Sequence, residues 1–243
     1  MSSQNGTGRH FVLAAGGTGG HMIPAHALAA ELIRRGHHVA LVTDDRGARF
    51  PGLFQGVQTH ILPAGRLAGG PLGWIRAGRA ILTGRDMARR LNEVFRPSAV
   101  IGFGGYPALP TLLAALKDRV PTAIHEQNAV LGRVNRLLAR QVDAIATAYG
   151  RVERLSDAYA AKTVIVGNPV RDEIVELRDQ PFPALSADGI FRVLVTGGSQ
   201  GASVLSTVVP EGLGMLPPNF RRRLQVTQQC RPEDIETVRA KYA

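Results

Sequence analysis

The sequence predicts an α/β protein built on parallel sheets. Apolar runs of strand length alternate with amphipathic helical patterns throughout, and three glycine-rich loops fall where a strand passes into a helix. The alternation also starts afresh beyond Gly167-Asn168-Pro169. Strands that mostly alternate with helices imply right-handed crossovers and hence a parallel sheet. The restart divides the chain into an N-terminal domain over 1–170 and a second domain over 171–243.

Phe11–Ala15 is the first strand, followed by a glycine loop and a helix to about Arg35. Val39–Thr43 and Val57–Leu62 are strands, and an arginine-rich helix runs from about Leu72 to Phe95. Ala99–Phe103 is a strand, Leu109–Leu116 a helix and Thr122–His125 a strand; Leu131–Arg140, Ala144–Ala148 and Thr163–Val166 continue the alternation. A polar stretch over Leu177–Gly189 precedes a new strand at Phe191–Thr196, a helix, a strand near Arg223–Thr227 and a last helix. Two strands and two helices cannot bury both faces of a parallel sheet, so the second domain is expected to be incomplete, by truncation.

Composition narrows the function classes. Hydrophobic residues make up 44% and charged residues 20%, as in a globular protein with a sizeable core. Met1–Gly8 is small and polar, without the apolar region of a signal peptide. The single cysteine, Cys230, excludes an internal disulfide framework and fits a reducing cytoplasm. Pro97–Lys117 carries no charge before the lysine, but Gly102, Gly104, Gly105, Pro107 and Pro110 interrupt it, so no membrane span is expected. The net charge of +10 points to an anionic partner, or to an arginine-rich proteome. Only 5% of residues are aromatic and no zinc finger or RNA-binding signature is present, which disfavours nucleic acid.

The chemistry concentrates in the loops. Gly16-Gly17-Thr18-Gly19-Gly20-His21 follows a strand and opens a helix, where bare backbone lets an anion approach the helix N-terminal amides. It is not the dinucleotide fingerprint, because Met22 stands where the last glycine belongs. Gly102–Pro107 and Gly197-Gly198-Ser199-Gln200-Gly201 occupy the same strand-to-helix position. Together the three suggest one phosphate-rich ligand. His125-Glu126-Gln127-Asn128 ends a strand and faces the ligand edge of the sheet, although Asn128 also suits a helix cap. Arg171 is either a phosphate partner or an ordinary surface arginine. His21 is the candidate base, since a helix N-terminus disfavours the imidazolium; the alternative is a phosphate hydrogen-bond donor. No Asp-x-Asp motif or ligand-spaced His/Cys cluster is present, so neither a metal site nor a cofactor is expected.

From Arg66 to Arg96 seven arginines face two acids, Asp86 and Glu93, beside Leu72, Trp74 and Ile75. A basic, Trp-bearing amphipathic segment suits docking on anionic lipid, with Trp74, Ile75, Arg76 and Arg79 as the contact patch; an ordinary solvated helix face is the alternative.

The loop Gly16–His21 with Pro24, Gly102–Tyr106, His125–Asn128, Gly167–Arg171 and Gly197–Ala202, in this order, resemble the motifs of the MurG family of bacterial glycosyltransferases. The resemblance covers nearly the whole chain. It implies a GT-B fold of two Rossmann-like domains, the second incomplete here. It also implies inverting transfer of N-acetylglucosamine from UDP-N-acetylglucosamine to the C4 hydroxyl of lipid I, giving lipid II for peptidoglycan, without an essential protein-bound metal. By motif, Thr18, Gly19, Gly20, Asn128, Arg171 and Ser199 belong to the UDP-sugar site, Gly17, Gly104, Gly105 and Tyr106 to the acceptor diphosphate, and His21 is the base. Peripheral attachment to the cytoplasmic face of the inner membrane, and cell-wall synthesis and division proteins as partners, follow from the same resemblance. Gln228-Gln229-Cys230-Arg231 departs from the family's His-Gln-Ser/Thr-Gly.

Three rival readings remain at the level of sequence. Another GT-B transferase would take a different acceptor, and a truncated chain would bind lipid without catalysis. A nicotinamide-dependent oxidoreductase would use Asp44 or Asp45 on the ribose.

Overall fold

A computed structural model describes residues 8–50, 52–63, 70–182, 184, 189–198 and 202–242. The chain forms two compact units, Met1–Arg178 and Asp179–Ala243.

In unit 1 the strands are β1 (His10–Ala15), β2 (His38–Thr43), β3 (Gln58–Ile61), β4 (Ala99–Gly104), β5 (Thr122–Glu126), β6 (Ala144–Thr147) and β7 (Thr163–Ile165). All pair in parallel, in the order β3-β2-β1-β4-β5-β6-β7. The helices are α1 (Gly19–Arg34), α2 (Asp45–Ala48), α3 (Gly70–Phe95), α4 (Ala108–Lys117), α5 (Arg133–Leu138) and α6 (Asp172–Glu176), with a 3-10 turn at Asp157–Lys162.

Side chains along a strand alternate between faces, and both faces of this sheet are covered. Val12 and Ala14 of β1 join Val100, Leu112, Ile124 and Leu138 in one core. Leu13 and Ala15 turn to the other face, where Met22, Ala25 and Ala29 of α1 meet Leu41 and Phe103. The strand order reverses direction at β1, so α1 and α4 pack on opposite faces of the sheet and the crevice of such a sheet lies at the carboxyl edge there.

The expected elements are present with shifted ends, and among the described residues five short pieces were not expected: α2, α6, the 3-10 turn at Asp157–Lys162, and in unit 2 a four-residue helix at Pro218–Arg221 and a 3-10 turn at Pro232–Asp234. The expected helix over Leu131–Arg140 is shorter. Leu131 is drawn into backbone pairing with Glu153, its N–H donating to the Glu153 carbonyl at 2.9 Å.

Unit 2 pairs β8 (Phe191–Val195) in parallel with β9 (Leu224–Gln228) and adds α7 (Ser203–Gly214), α8 (Pro218–Arg221) and α9 (Ile235–Tyr242). Among its described residues Val238, Ser206 and Pro210 are buried, whereas Leu194 on β8 is 71% exposed. Two strands therefore leave one sheet face largely open, as the count of elements predicted.

Candidate active site

Gly16 and Gly105 lock the two glycine loops at the crevice together. A Cβ on Gly16 would lie 2.6 Å from Pro107, and one on Gly105 would lie 2.7 Å from the Gly16 carbonyl oxygen. Gly105 also has φ +78° and Gly104 +96°, values that side chains rarely tolerate. Above them sits His21, in the first turn of α1. Its Nδ1 lies 3.0 Å from the Gly16 carbonyl and 3.5 Å from the Thr18 hydroxyl. A carbonyl only accepts, so Nδ1 carries the proton and Nε2 of the neutral ring holds the lone pair. That Nε2 is 3.0 Å from where a Cβ of Gly104 would stand. The glycine thus makes room for the ring edge.

The first loop does not point every amide outward. Gly17 N–H donates to Asp44 Oδ1 at 3.1 Å, and the same oxygen takes Gly47 N–H at 2.9 Å. Asp44, nearly fully buried, caps α2 and fastens the loop, with Arg46 3.5 Å from its other oxygen. This accounts for Asp44 without a ribose, and Asp45 lies exposed in the first turn of α2. Gly19 and Gly20 stand in the first turn of α1, where no carbonyl four residues back is available to their N–H groups.

A cavity of about 250 Å³ opens beside His21. Gly104, Gly105 and Tyr106 line it from the β4 loop, and Asn128 from the loop after β5. Leu109 of α4 and Arg133, Val134, Asn135 and Leu137 of α5 complete the wall with Glu126 and Gly132. Glu126 organises this wall although it is only 1% exposed. Its Oε1 accepts from the backbone and side-chain nitrogens of Asn128, both at 3.1 Å. Its Oε2 accepts from Gly132 N–H at 2.8 Å and Asn135 Nδ2 at 2.9 Å. Four donors satisfy the buried carboxylate without a cation.

His125 looks inward instead of toward the cavity. Gln127 Nε2 donates to its Nδ1 at 2.9 Å, so Nε2 bears the proton and donates to the Gly167 carbonyl at 3.0 Å. Burial pushes its pKa below the ordinary histidine value, against smaller opposing effects from Gly167 and Glu126. Asn168 Nδ2 donates to the Gln127 carbonyl at 3.3 Å, tying the β7 end to the same loop.

The structure thus gathers His21, Gly104, Gly105, Tyr106 and Asn128 around one cavity, with Thr18 against His21. Arg171 is exposed at the N-cap of α6, close enough to His26 of α1 to oppose its protonation, and is not part of the cavity wall. Ser199 lies outside the described residues, as does Arg66 of the basic segment; of Trp74 only the backbone, in α3, is described. Ile75 is 58% exposed on α3, with Arg76 and Arg79 exposed nearby. Arg85 and Arg89 are paired, with Asp86 at 3.1 Å and Asp118 at 2.9 Å. Among the described residues Arg76, Arg79 and Arg90 of α3 form no ion pair, so its basic charge concentrates there. Among the described residues no helix is long and apolar enough to cross a membrane.

The sequence places Glu126 at the ligand edge only as part of its motif and assigns no roles to Gly132, Arg133 and Asn135 in the wall. The available signal was a glutamate at the carboxyl end of an apolar strand, where an acid is rarely buried without partners.

Comparison with known proteins gives a consistent family. Residues 11–147 match the glycosyltransferase family 28 N-terminal domain, and residues 192–243 match its C-terminal domain. The UDP-N-acetylglucosamine–N-acetylmuramyl-(pentapeptide) pyrophosphoryl-undecaprenol N-acetylglucosamine transferase of Zymomonas mobilis is 68% identical over 235 residues, 97% of this chain and 61% of the relative. The same-named protein of Novosphingobium aromaticivorans is 68% identical over the same shares. The chain therefore spans 61% of the length of these curated relatives. The crystal structure of Acinetobacter baumannii MurG superposes with TM-score 0.67 at 28% identity, covering 96% of this chain and 62% of that one. A UDP-GlcNAc 2-epimerase from Neisseria meningitidis shares the fold at TM-score 0.55 and 12% identity, covering 96% of this chain and 75% of that one.

Proposed function

The chain belongs to glycosyltransferase family 28, and on that premise we propose that it transfers N-acetylglucosamine from UDP-N-acetylglucosamine to a diphosphate-linked, lipid-anchored N-acetylmuramyl pentapeptide. The carrying observation is the fixed tautomer of His21. With Nδ1 held by the Gly16 carbonyl, Nε2 is the basic nitrogen at the edge of the cavity. There it takes the proton of the acceptor C4 hydroxyl as that oxygen bonds the anomeric carbon and UDP leaves with the electron pair of the broken bond. Attack opposite the leaving group inverts the anomeric centre.

The loop Gly104-Gly105-Tyr106, with Gly17 shaping its neighbour, faces the acceptor diphosphate in this reading. Thr18, the amides of Gly19 and Gly20, Asn128, Arg171 and Ser199 serve the donor. Helix-terminal amides stabilise the phosphate charge that grows as UDP departs. The exposed face of α3 with Ile75, Arg76 and Arg79 brings the protein to the cytoplasmic surface of an anionic membrane, where a lipid-anchored acceptor resides. Other proteins of wall synthesis and division are partners on the same reading.

The test is incubation with UDP-N-acetylglucosamine and a short-chain muramyl-pentapeptide diphosphate. Equal yields of disaccharide product and UDP support the reading. UDP without disaccharide, or no turnover from a chain extended to the relatives' full length, contradicts it.

A further inference from the structure

Arg133, in the first turn of α5, lines the cavity of His21 and is exposed at its wall. No acid forms an ion pair with it among the described residues. The acid that shares the wall, Glu126, already accepts two hydrogen bonds at each oxygen, which fills the four lone-pair sites of a carboxylate. It therefore has no lone-pair site free to accept a hydrogen bond from a guanidinium. The position is also locally unfavourable, because a cation in a first helical turn opposes the peptide dipoles and α5 has no acid there. Leu109, Val134 and Leu137 form apolar wall beside it, so an anion entering the cavity would meet the guanidinium in surroundings poorer in water than the open surface. A charge left unpaired against local preference, on the wall of a cavity, is the pattern expected of a ligand contact.

We propose that Arg133 is a specificity-determining residue that grips an oxyanion of the acceptor, so that the cavity holds the acceptor at a second anionic point besides the glycine loops. The inference rests on the acceptor reading above. An acceptor of the kind named for the relatives carries two such groups, the pyrophosphoryl bridge and the carboxylates of the pentapeptide. The planar fork of arginine matches either one bidentately.

Calorimetric titration with two soluble probes separates the sources: a short-chain diphospho-muramyl pentapeptide, and the same diphospho-sugar without peptide. The wild-type chain, Arg133→Leu and Arg133→Lys are compared, with UDP-N-acetylglucosamine as control. Arg133→Leu is expected to weaken the pentapeptide probe about tenfold, the effect of losing a charge-assisted hydrogen bond. Arg133→Lys should recover part of it, and donor binding should not change. Loss confined to the pentapeptide probe identifies a peptide carboxylate; equal loss for both probes identifies the diphosphate. Either result supports the proposal when the unfolding midpoint of the variants matches wild type. Undiminished binding of both probes by Arg133→Leu overturns it, as does an equal loss of donor binding. Failure of the wild-type chain to bind either probe instead overturns the acceptor reading, and this inference with it.

Discussion

Replacing Glu126 with glutamine probes the cavity wall with almost no change of shape. The carboxylate accepts at all four of its lone-pair sites, from Asn128 N, Asn128 Nδ2, Gly132 N and Asn135 Nδ2, at 2.8–3.1 Å. A glutamine amide has one oxygen, so in either orientation its NH2 group faces two donors. Each buried donor left without an acceptor costs about 1–3 kcal/mol, so two cost roughly 2–6 kcal/mol. Neutralising a buried charge returns part of that, because Glu126 has no cationic partner. The expected net loss is about 2 kcal/mol, roughly thirtyfold in the folding equilibrium. Because the donors sit on one loop and the start of α5, the loss should be local first. Amide hydrogen exchange at Gly132 and Asn128 should quicken while the β1 amides keep their protection, and urea unfolding should shift to lower midpoint. Unchanged protection at Gly132, or a variant as stable as wild type, would refute the assignment of Glu126 as the organiser of this wall.

Three further outcomes follow from the same structure. Gly105→Ala should cost about 2–3 kcal/mol and raise the acceptor KM, since φ +78° is strained for alanine and its Cβ would meet the Gly16 carbonyl; an unchanged thermal midpoint would contradict the locked loops. Burial depresses the His125 pKa, so as pH falls below about 6.5 the unfolded chain gains a proton that the folded one does not, and stability is lost. His26 and His60 are shifted the same way by burial, so His125→Gln should reduce, not abolish, the loss between about pH 7.5 and about pH 5.5; an identical loss excludes a His125 share. Reversing Arg76 and Arg79 to glutamate should weaken partitioning onto anionic vesicles by roughly 2 kcal/mol or more at low salt, and undiminished binding would reduce this face of α3 to solvated surface.

Much of this architecture was legible because buried parallel strands write themselves as continuous apolar runs. Phe11–Ala15 and Val39–Thr43 are examples, and glycine loops mark where such strands pass into helices. His21, Gly104, Gly105, Tyr106 and Asn128 could be placed at one edge for the same reason: each follows a strand. What escaped notice depends on tertiary partners. The N-terminal end of α5 is set by Leu131 pairing with Glu153, a contact between residues far apart in sequence. The α2 turn exists because Asp44 caps it, and Asp44 also holds Gly17, so an acid resembling a ribose ligand is a loop fastener. Glu126 stood inside a motif already singled out, yet its four donors come from Asn128, Gly132 and Asn135, of which Asn128 and Gly132 precede α5, so the loop's path and not a periodicity brings them together. Five-residue α6 is too short to show periodicity at all.

The central claim is that His21 acts through Nε2 as the base at the sheet's switch point. The measurement that meets it most directly is the single-turnover rate of N-acetylglucosamine transfer to a muramyl-pentapeptide diphosphate, at saturating acceptor, for wild type and His21→Ala. The account predicts a fall of about 10²–10⁴-fold in the chemical step, the usual worth of a general base, with acceptor affinity nearly kept. A rate within threefold of wild type, or a defect confined to acceptor affinity, would make His21 a phosphate contact and leave the base unassigned.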